Sequence, residues 1–213
     1  IDNEDLDVFF EKMGTAIESA TPLKMLHRGI AHNFREKRNR ILMNESIQNI
    51  AVTKKSYDDN DVIPTIVTIS AADFLLDDVF CEEVFGSFTL VVKCKDLENM
   101  IQVLENLPGQ LTTTLFATED ELRSNTALIQ CMQEKCGRFI FNGVPTGVTV
   151  TQAMHHGGPW PATTDSRFTS VGADAIKRFV RPIAYQNWLE WLLPKDLQTK
   201  NYSKFCPIIS QKC

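Results

Sequence analysis

Two adjacent histidines, a Thr163-Thr-Asp-Ser-Arg167 run and seven glycines and prolines share one segment. It reads Phe141-Asn-Gly-Val-Pro-Thr-Gly-Val148 and continues into His155-His-Gly-Gly-Pro-Trp-Pro-Ala-Thr-Thr-Asp-Ser-Arg167. Connections in compact domains run to roughly six residues, and one this long and particular belongs with binding or catalysis. Metal chemistry is not expected of it, because adjacent loop histidines seldom converge on one ion. Six cysteines stand at positions 81, 94, 131, 136, 206 and 213. They form no CxxC pair and no metal-like spacing. Free, mostly buried thiols in a reducing compartment are the expectation, with Cys206 and Cys213 exposed in a polar tail.

The elements that must position these residues alternate. Asp5 to Ser19 sets Leu6, Phe9, Phe10, Met13 and Ile17 on one helical face, capped by Asp2 or Asn3. A second helix is predicted from about Leu26 to Met43, then short strands over Ile47–Thr53 and Thr65–Ser70. Thr89–Lys93 reads as a strand and Leu97–Leu107 as a helix with Leu97, Met100, Ile101 and Leu104 inward, stopped by Pro108-Gly109. Leu111–Ala117 is a β-branched strand. Thr118-Glu-Asp-Glu121 is a capping box opening a helix that ends near Lys135, with Gly137 as its C-cap. Arg138–Phe141 is a further strand, and Asp174–Arg178 a short helix. Strands alternating with helices predict an α/β fold, a mostly parallel sheet with helices on both faces. Ligands in such sheets bind beyond the carboxyl ends of strands, where the loop begins at Asn142. Phe179–Gln186 contains Pro182, which confines it to an edge strand or a bulge.

Length and composition fix the outer limits. The chain has 213 residues, 43% hydrophobic and 23% charged, with net charge −5. That fits a soluble globular protein with a real core and offers no nucleic-acid surface. The densest basic run, Arg35 to Arg40, is read as a solvated helix face. No apolar run approaches the roughly 18 residues of a membrane span and no signal-peptide pattern is present, so a cytoplasmic protein with neither membrane nor nucleic acid as partner is expected. The chain opens at Ile1 without methionine, as a processed product or a piece of something longer would.

Cys81-Glu-Glu-Val-Phe-Gly-Ser87 resembles the Glu-Glu-x-Phe-Gly-Pro signature of the aldehyde dehydrogenase superfamily, with Ser87 in place of proline. The Phe141–Val148 and His156–Arg167 segments, with Thr169-Ser-Val-Gly172 and Arg178-Phe-Val-Arg-Pro182, look like its α-ketoglutaric semialdehyde (2,5-dioxopentanoate) dehydrogenase branch. The resemblance runs from about Asp73 to Leu197, is weaker before it, and ends at the tail from Gln198.

The resemblance implies oxidation of an aldehyde to a carboxylate through a cysteine thioester, with NAD or NADP taking the hydride. It implies that Glu83 binds the nicotinamide-side ribose hydroxyls and that Phe85 packs beside the nicotinamide. A surface carboxylate and a core aromatic are the plainer alternatives. Asn142 would brace the active-site loops or simply form a turn. Val144, Pro145 and Pro159 would line the aldehyde pocket. Arg167 would face a substrate carboxylate or, the favoured alternative, pair structurally with Asp165 or Glu190. The family's Gly-Gln-x-Cys nucleophile is absent from this sequence, and none of the cysteines present replaces it; Cys81, for one, is followed by two carboxylates that raise a thiol's pKa.

These readings combine into one expectation: the C-terminal part of an aldehyde dehydrogenase catalytic domain, inactive alone for want of the nucleophile and cofactor domain. Residues 1–178 would be the partial catalytic domain. Residues 179–197 would carry an edge strand for an oligomerisation sheet, making homo-oligomers or pairs with full-length subunits through Phe179–Gln186, and 198–213 an unmatched tail. The alternatives are a truncated, non-catalytic homologue acting as an interaction partner, and an unrelated α/β binding protein.

Overall fold

The structure is a computed structural model describing residue 1 and residues 4–201, with the Glu4 side chain left out. The caps expected at Asp2 or Asn3, and Cys206 and Cys213, lie outside the described residues. The chain divides into two compact units, Ile1–Ala175 and Ile176–Cys213.

The first unit is α/β. Its elements are α1 (Glu4–Ser19), β1 (Leu23–Lys24), α2 (Arg28–Leu42), β2 (Gln48–Val52), β3 (Asp61–Val62), β4 (Thr65–Ser70), α3 (Ala71–Phe74), β5 (Phe88–Lys93), α4 (Leu97–Asn106), β6 (Gln110–Leu115), α5 (Glu119–Ser124), α6 (Thr126–Glu134) and β7 (Cys136–Phe141). The longer strand pairings are parallel, as expected. β4 pairs β5 and β6 pairs β7 in parallel, whereas β2 joins β4, and β1 joins β3, antiparallel. β2 follows a short connection from α2 and folds back onto β4, which needs no crossover.

β4 is the centre of the larger sheet, with Thr65 to Ile69 all buried. Its threonines are satisfied inside the core. The Thr65 hydroxyl donates to Ile63 O at 2.8 Å and accepts from Arg38 Nε at 2.7 Å, and the Thr68 hydroxyl donates to Val91 O at 2.9 Å. Ile41, Ile69, Phe74, Phe80, Cys94 and Val103 pack as the main core cluster. α1 packs on β2, with Gly14 beside Ile50 and Ala51. Phe9, expected inward, is exposed.

Three further expectations are corrected. The basic run of α2 is not wholly solvated: Ala31, Phe34, Arg38 and Ile41 are buried at helical spacing, so Arg38 falls on the core face and is held there by Thr65. Burial lowers its pKa, the Tyr57 phenol opposing. The helix after the capping box breaks at Asn125, whose side chain donates to Glu121 O at 2.8 Å and so competes with the helical ladder. Gly137 lies within β7 instead of capping α6, a role taken by Lys135.

From Ile176 the second unit holds 3-10 turns at Glu190–Leu192, Lys195–Leu197 and Thr199–Asn201. Thr199 N–H donates to Glu190 Oε1 at 2.6 Å, and Tyr185 and Trp188 rings meet at 6.0 Å. The strand expected at Phe179–Gln186 is not formed, since a strand exists by its ladder and the described residues supply none for it. No helix among the described residues is long and apolar enough to cross a membrane.

Candidate functional site

The Glu82–Ser87 turn is fixed from three sides. Before it, Asp77 caps the 3-10 turn Asp78–Cys81 by accepting from Val79 N–H at 2.9 Å. Within it, Gly86 has φ +156°, and a Cβ there would stand 2.5 Å from the buried Phe34 ring of α2. After it, Thr65 N–H donates to Ser87 O at 3.0 Å, tying the turn to β4. A glycine is therefore required where the turn presses on α2.

Lys37 and Arg40, one helical turn apart on α2, then sort the two acids. Lys37 Nζ donates to Glu83 O at 3.0 Å and stands 3.7 Å from Glu82 Oε2, and Arg40 pairs with the same Glu82 carboxylate. The Glu83 side chain has no hydrogen bond or ion pair among the described residues. One acid is thus engaged and its neighbour, held by the main chain, is free. Both line a cavity of about 690 Å³ with Phe85, Met25, Ile41 and Phe80. Both also border a cleft of about 1060 Å³ with Leu104, Leu107, Gln110 to Thr114, Met132, Pro161 and Ala162. Phe85 is 55% exposed, so it is no core residue.

Three of the thiols, Cys81, Cys94 and Cys131, are not activated. Burial pushes the Cys81 thiol up, the Asp78 carboxylate adds to this, and a hydrogen bond from Asn106 opposes it. Burial likewise raises Cys94 and Cys131. Cys136 accepts from the Thr113 hydroxyl at 2.9 Å. No group of three or more His, Cys, Asp or Glu suited to a metal ion occurs among the described residues.

The long loop does not stay at one end of the strands. At the carboxyl end of β7, Asn142 takes φ 46° and its amide brackets Ala117, donating to its carbonyl at 2.9 Å and accepting from its N–H at 3.0 Å. It is a turn residue and a brace together. The following arm is held by Arg138, whose guanidinium donates to Gly147 O at 2.8 Å and Pro145 O at 3.4 Å, and Val144 is exposed. The returning arm instead lies at the amino ends of β6 and β7. Gly109 N–H donates to Trp160 O at 3.2 Å, and a Cβ on Gly137 would sit 2.1 Å from Gly157 O. Pro159 belongs to this returning arm, and Val144 and Pro145 to the arm held by Arg138. Pro161 and Ala162 share the cleft with Glu83. Arg167 pairs with Asp165 through Nε at 2.9 Å and Nη2 at 2.7 Å, the structural alternative. That pairing, and contact with the Phe168 ring, occupies its guanidinium.

Sequence reasoning missed Lys37, Arg40 and Arg138. Two cations one turn apart, in a chain with a Glu-Glu signature, were a usable signal. So was a lone arginine in an apolar strand leading into a loop rich in carbonyls.

No family model matches the sequence. An α-ketoglutaric semialdehyde dehydrogenase of Azospirillum brasilense is 39% identical over 94% of this chain and 38% of its own length. Among solved structures, the lactaldehyde dehydrogenase of Escherichia coli aligns with TM-score 0.62 and 17% identity, over 83% of this chain and 36% of that one. The succinic semialdehyde dehydrogenase of Streptococcus pyogenes, solved with NADP+ as the cofactor, aligns with TM-score 0.57 and 18% identity, over 73% and 34%. The chain thus spans about two fifths of the length of the curated relative it matches. With the Glu-Glu-Val-Phe-Gly turn and the Asn142–Arg167 loop inside the matched length, the chain belongs to the aldehyde dehydrogenase superfamily, alongside its α-ketoglutaric semialdehyde dehydrogenases.

Proposed function

We propose that this chain supplies the C-terminal portion of the catalytic domain of an NAD(P)-dependent aldehyde dehydrogenase, with 2,5-dioxopentanoate as the candidate aldehyde, and that alone it is inactive. The observation that carries the reading is the division of labour at Glu82 and Glu83. Lys37 and Arg40 hold Glu82, which leaves the Glu83 carboxylate free at the mouth of a cavity beside exposed Phe85. A free carboxylate accepts two hydrogen bonds from adjacent hydroxyls, as a ribose presents them. An exposed aromatic provides an apolar face for a planar ring. A bound nicotinamide would supply the hydride acceptor; this chain's part is to orient it. Arg167 is left outside the site, its guanidinium committed to Asp165. The free thiols described suit a reducing compartment such as the cytoplasm.

The test is turnover by the purified chain with nicotinamide cofactor and the semialdehyde, followed by absorbance of the reduced cofactor. No signal above background is expected. Turnover abolished by replacing a single cysteine would sink the reading, because a thiol of this chain would then be the nucleophile.

A second reading rests on a separate observation. Phe179 is 82% exposed, with Val180 and Ile183 also exposed, in a segment without a ladder. A chain with that segment can act by pairing with full-length relatives. Co-elution with an intact relative, lost on replacing Phe179 and Ile183 by serine, would support it.

A further inference from the structure

Beyond Asn142, the first arm of the long loop depends on one side chain, Arg138. The chain reverses at Asn142, where φ is 46°, and a Cβ on Gly143 would stand 3.1 Å from Ile140 Cγ2. Residues two apart on a strand share a face, so the arm turns back over the face of β7 that carries Arg138 and Ile140. The guanidinium meets it there, donating from Nη1 to Gly147 O at 2.8 Å and from Nη2 to Pro145 O at 3.4 Å. These are the only hydrogen bonds that residues 143–150 make among the described residues. The arm has no charged side chain and no ladder, and Val144 and Val150 are exposed. No carboxylate pairs with Arg138 among the described residues, and its Nε is buried without a partner there. A part-buried cation is tolerated where its other donors are satisfied, and here the carbonyls of the arm satisfy them. The fork matters as well, because one rigid plane fixes two carbonyls at once, which the point charge of a lysine does not.

We propose that Arg138 is a positioning residue for the aldehyde site: it fixes the arm that carries Val144 and Pro145, and so sets the apolar wall against which the aldehyde chain lies. This rests on the catalytic-domain reading above, in which those two residues line the aldehyde pocket. Pro145 has no N–H to donate and a fixed φ, so the arm is stiff at that point once its carbonyls are held. The part of Arg138 is in binding rather than in the chemical step. It keeps ordered a wall that would otherwise lose conformational freedom each time a substrate enters.

The experiment places Arg138→Met and Arg138→Lys in the chain alone and in a hybrid in which this chain replaces the matched part of the Azospirillum enzyme. In the chain, NMR relaxation reads the amides of Thr146, Gly147 and Val148. Their order parameters should fall below about 0.6 in Arg138→Met, with the far-ultraviolet spectrum unchanged. In the hybrid, KM for 2,5-dioxopentanoate should rise roughly tenfold in Arg138→Met while kcat stays within about twofold. Arg138→Lys should fall between it and wild type in both measurements, and it carries the comparison if Arg138→Met does not fold. An arm as ordered in Arg138→Met as in wild type would overturn Arg138 as its anchor. A loosened arm with unchanged KM would overturn the pocket role and leave the catalytic-domain reading standing. A fall in kcat at constant KM would put Arg138 in the chemical step and overturn positioning. A folded hybrid that keeps Arg138 and shows no turnover would overturn the catalytic-domain reading and this proposal with it.

Discussion

Single side chains at the Glu-Glu turn separate structure from chemistry. The Glu82 carboxylate is tied to Lys37 and Arg40, and the Glu83 carboxylate to nothing among the described residues. Glu83→Gln should therefore leave thermal stability within about 0.5 kcal/mol of wild type. Glu82→Gln should cost up to about 1 kcal/mol, an effect that shrinks in high salt because the pair is half exposed. Melting curves at low and high ionic strength check both. Gly137 is more demanding: Gly137→Ala forces a methyl into Gly157 O. A loss of about 1–3 kcal/mol is expected, read as a lower Tm by circular dichroism. The thiols give a pH dependence. Cys81, Cys94 and Cys131 all have pKa values raised in the fold, mainly by burial. The unfolded chain then releases these protons first, so their contribution is intact below about pH 8.5 and is lost as pH rises through the folded values. Tm should fall between neutral and strongly alkaline pH, less so with the three cysteines replaced by alanine.

Among the elements, the capping box was fully readable. Thr118 accepts from Glu121 N–H at 3.3 Å, and the Glu121 carboxylate accepts from Thr118 N–H at 2.7 Å. Those bonds from Thr118 hold the Glu121 carboxyl below its ordinary pKa. Thr118→Ala should cost about 1 kcal/mol, measurable by denaturant melts at neutral pH. The helix beyond it was legible in its existence but not in its continuity, because the break at Asn125 depends on where one side-chain amide finds a carbonyl. Strand β4 was readable to the residue, Thr65–Ser70, since a fully buried strand writes itself as an unbroken β-branched run. The pairing of β2 was not, because an antiparallel and a parallel neighbour need the same residue types.

Taken whole, the first unit carries much of its apolar surface partly covered, from Phe85 and Leu111 to Phe116 and Phe141. Exposed apolar groups on this many elements mark surfaces that expect company. In the second unit the run of exposed Phe179, Val180 and Ile183 does the same. Replacing Phe179 and Ile183 by serine should lower self-association in sedimentation velocity without changing the far-ultraviolet spectrum, since no ladder among the described residues depends on them.

Motif residues with fixed local jobs could be read from the chain: the Glu-Glu turn, the Thr118 cap, the buried β4 run, and the family to which they belong. Each depends on neighbours a few residues away, where spacing constrains geometry. The tertiary structure alone decided which of two adjacent acids is free, because that depends on α2 lying across the turn with Lys37 and Arg40 facing it. It also decided that the long loop serves both ends of β6 and β7, because Gly109, Gly137, Gly157 and Gly158 permit main chain to lie on main chain. A sequence shows that a glycine is present; only the fold shows what is pressed against it.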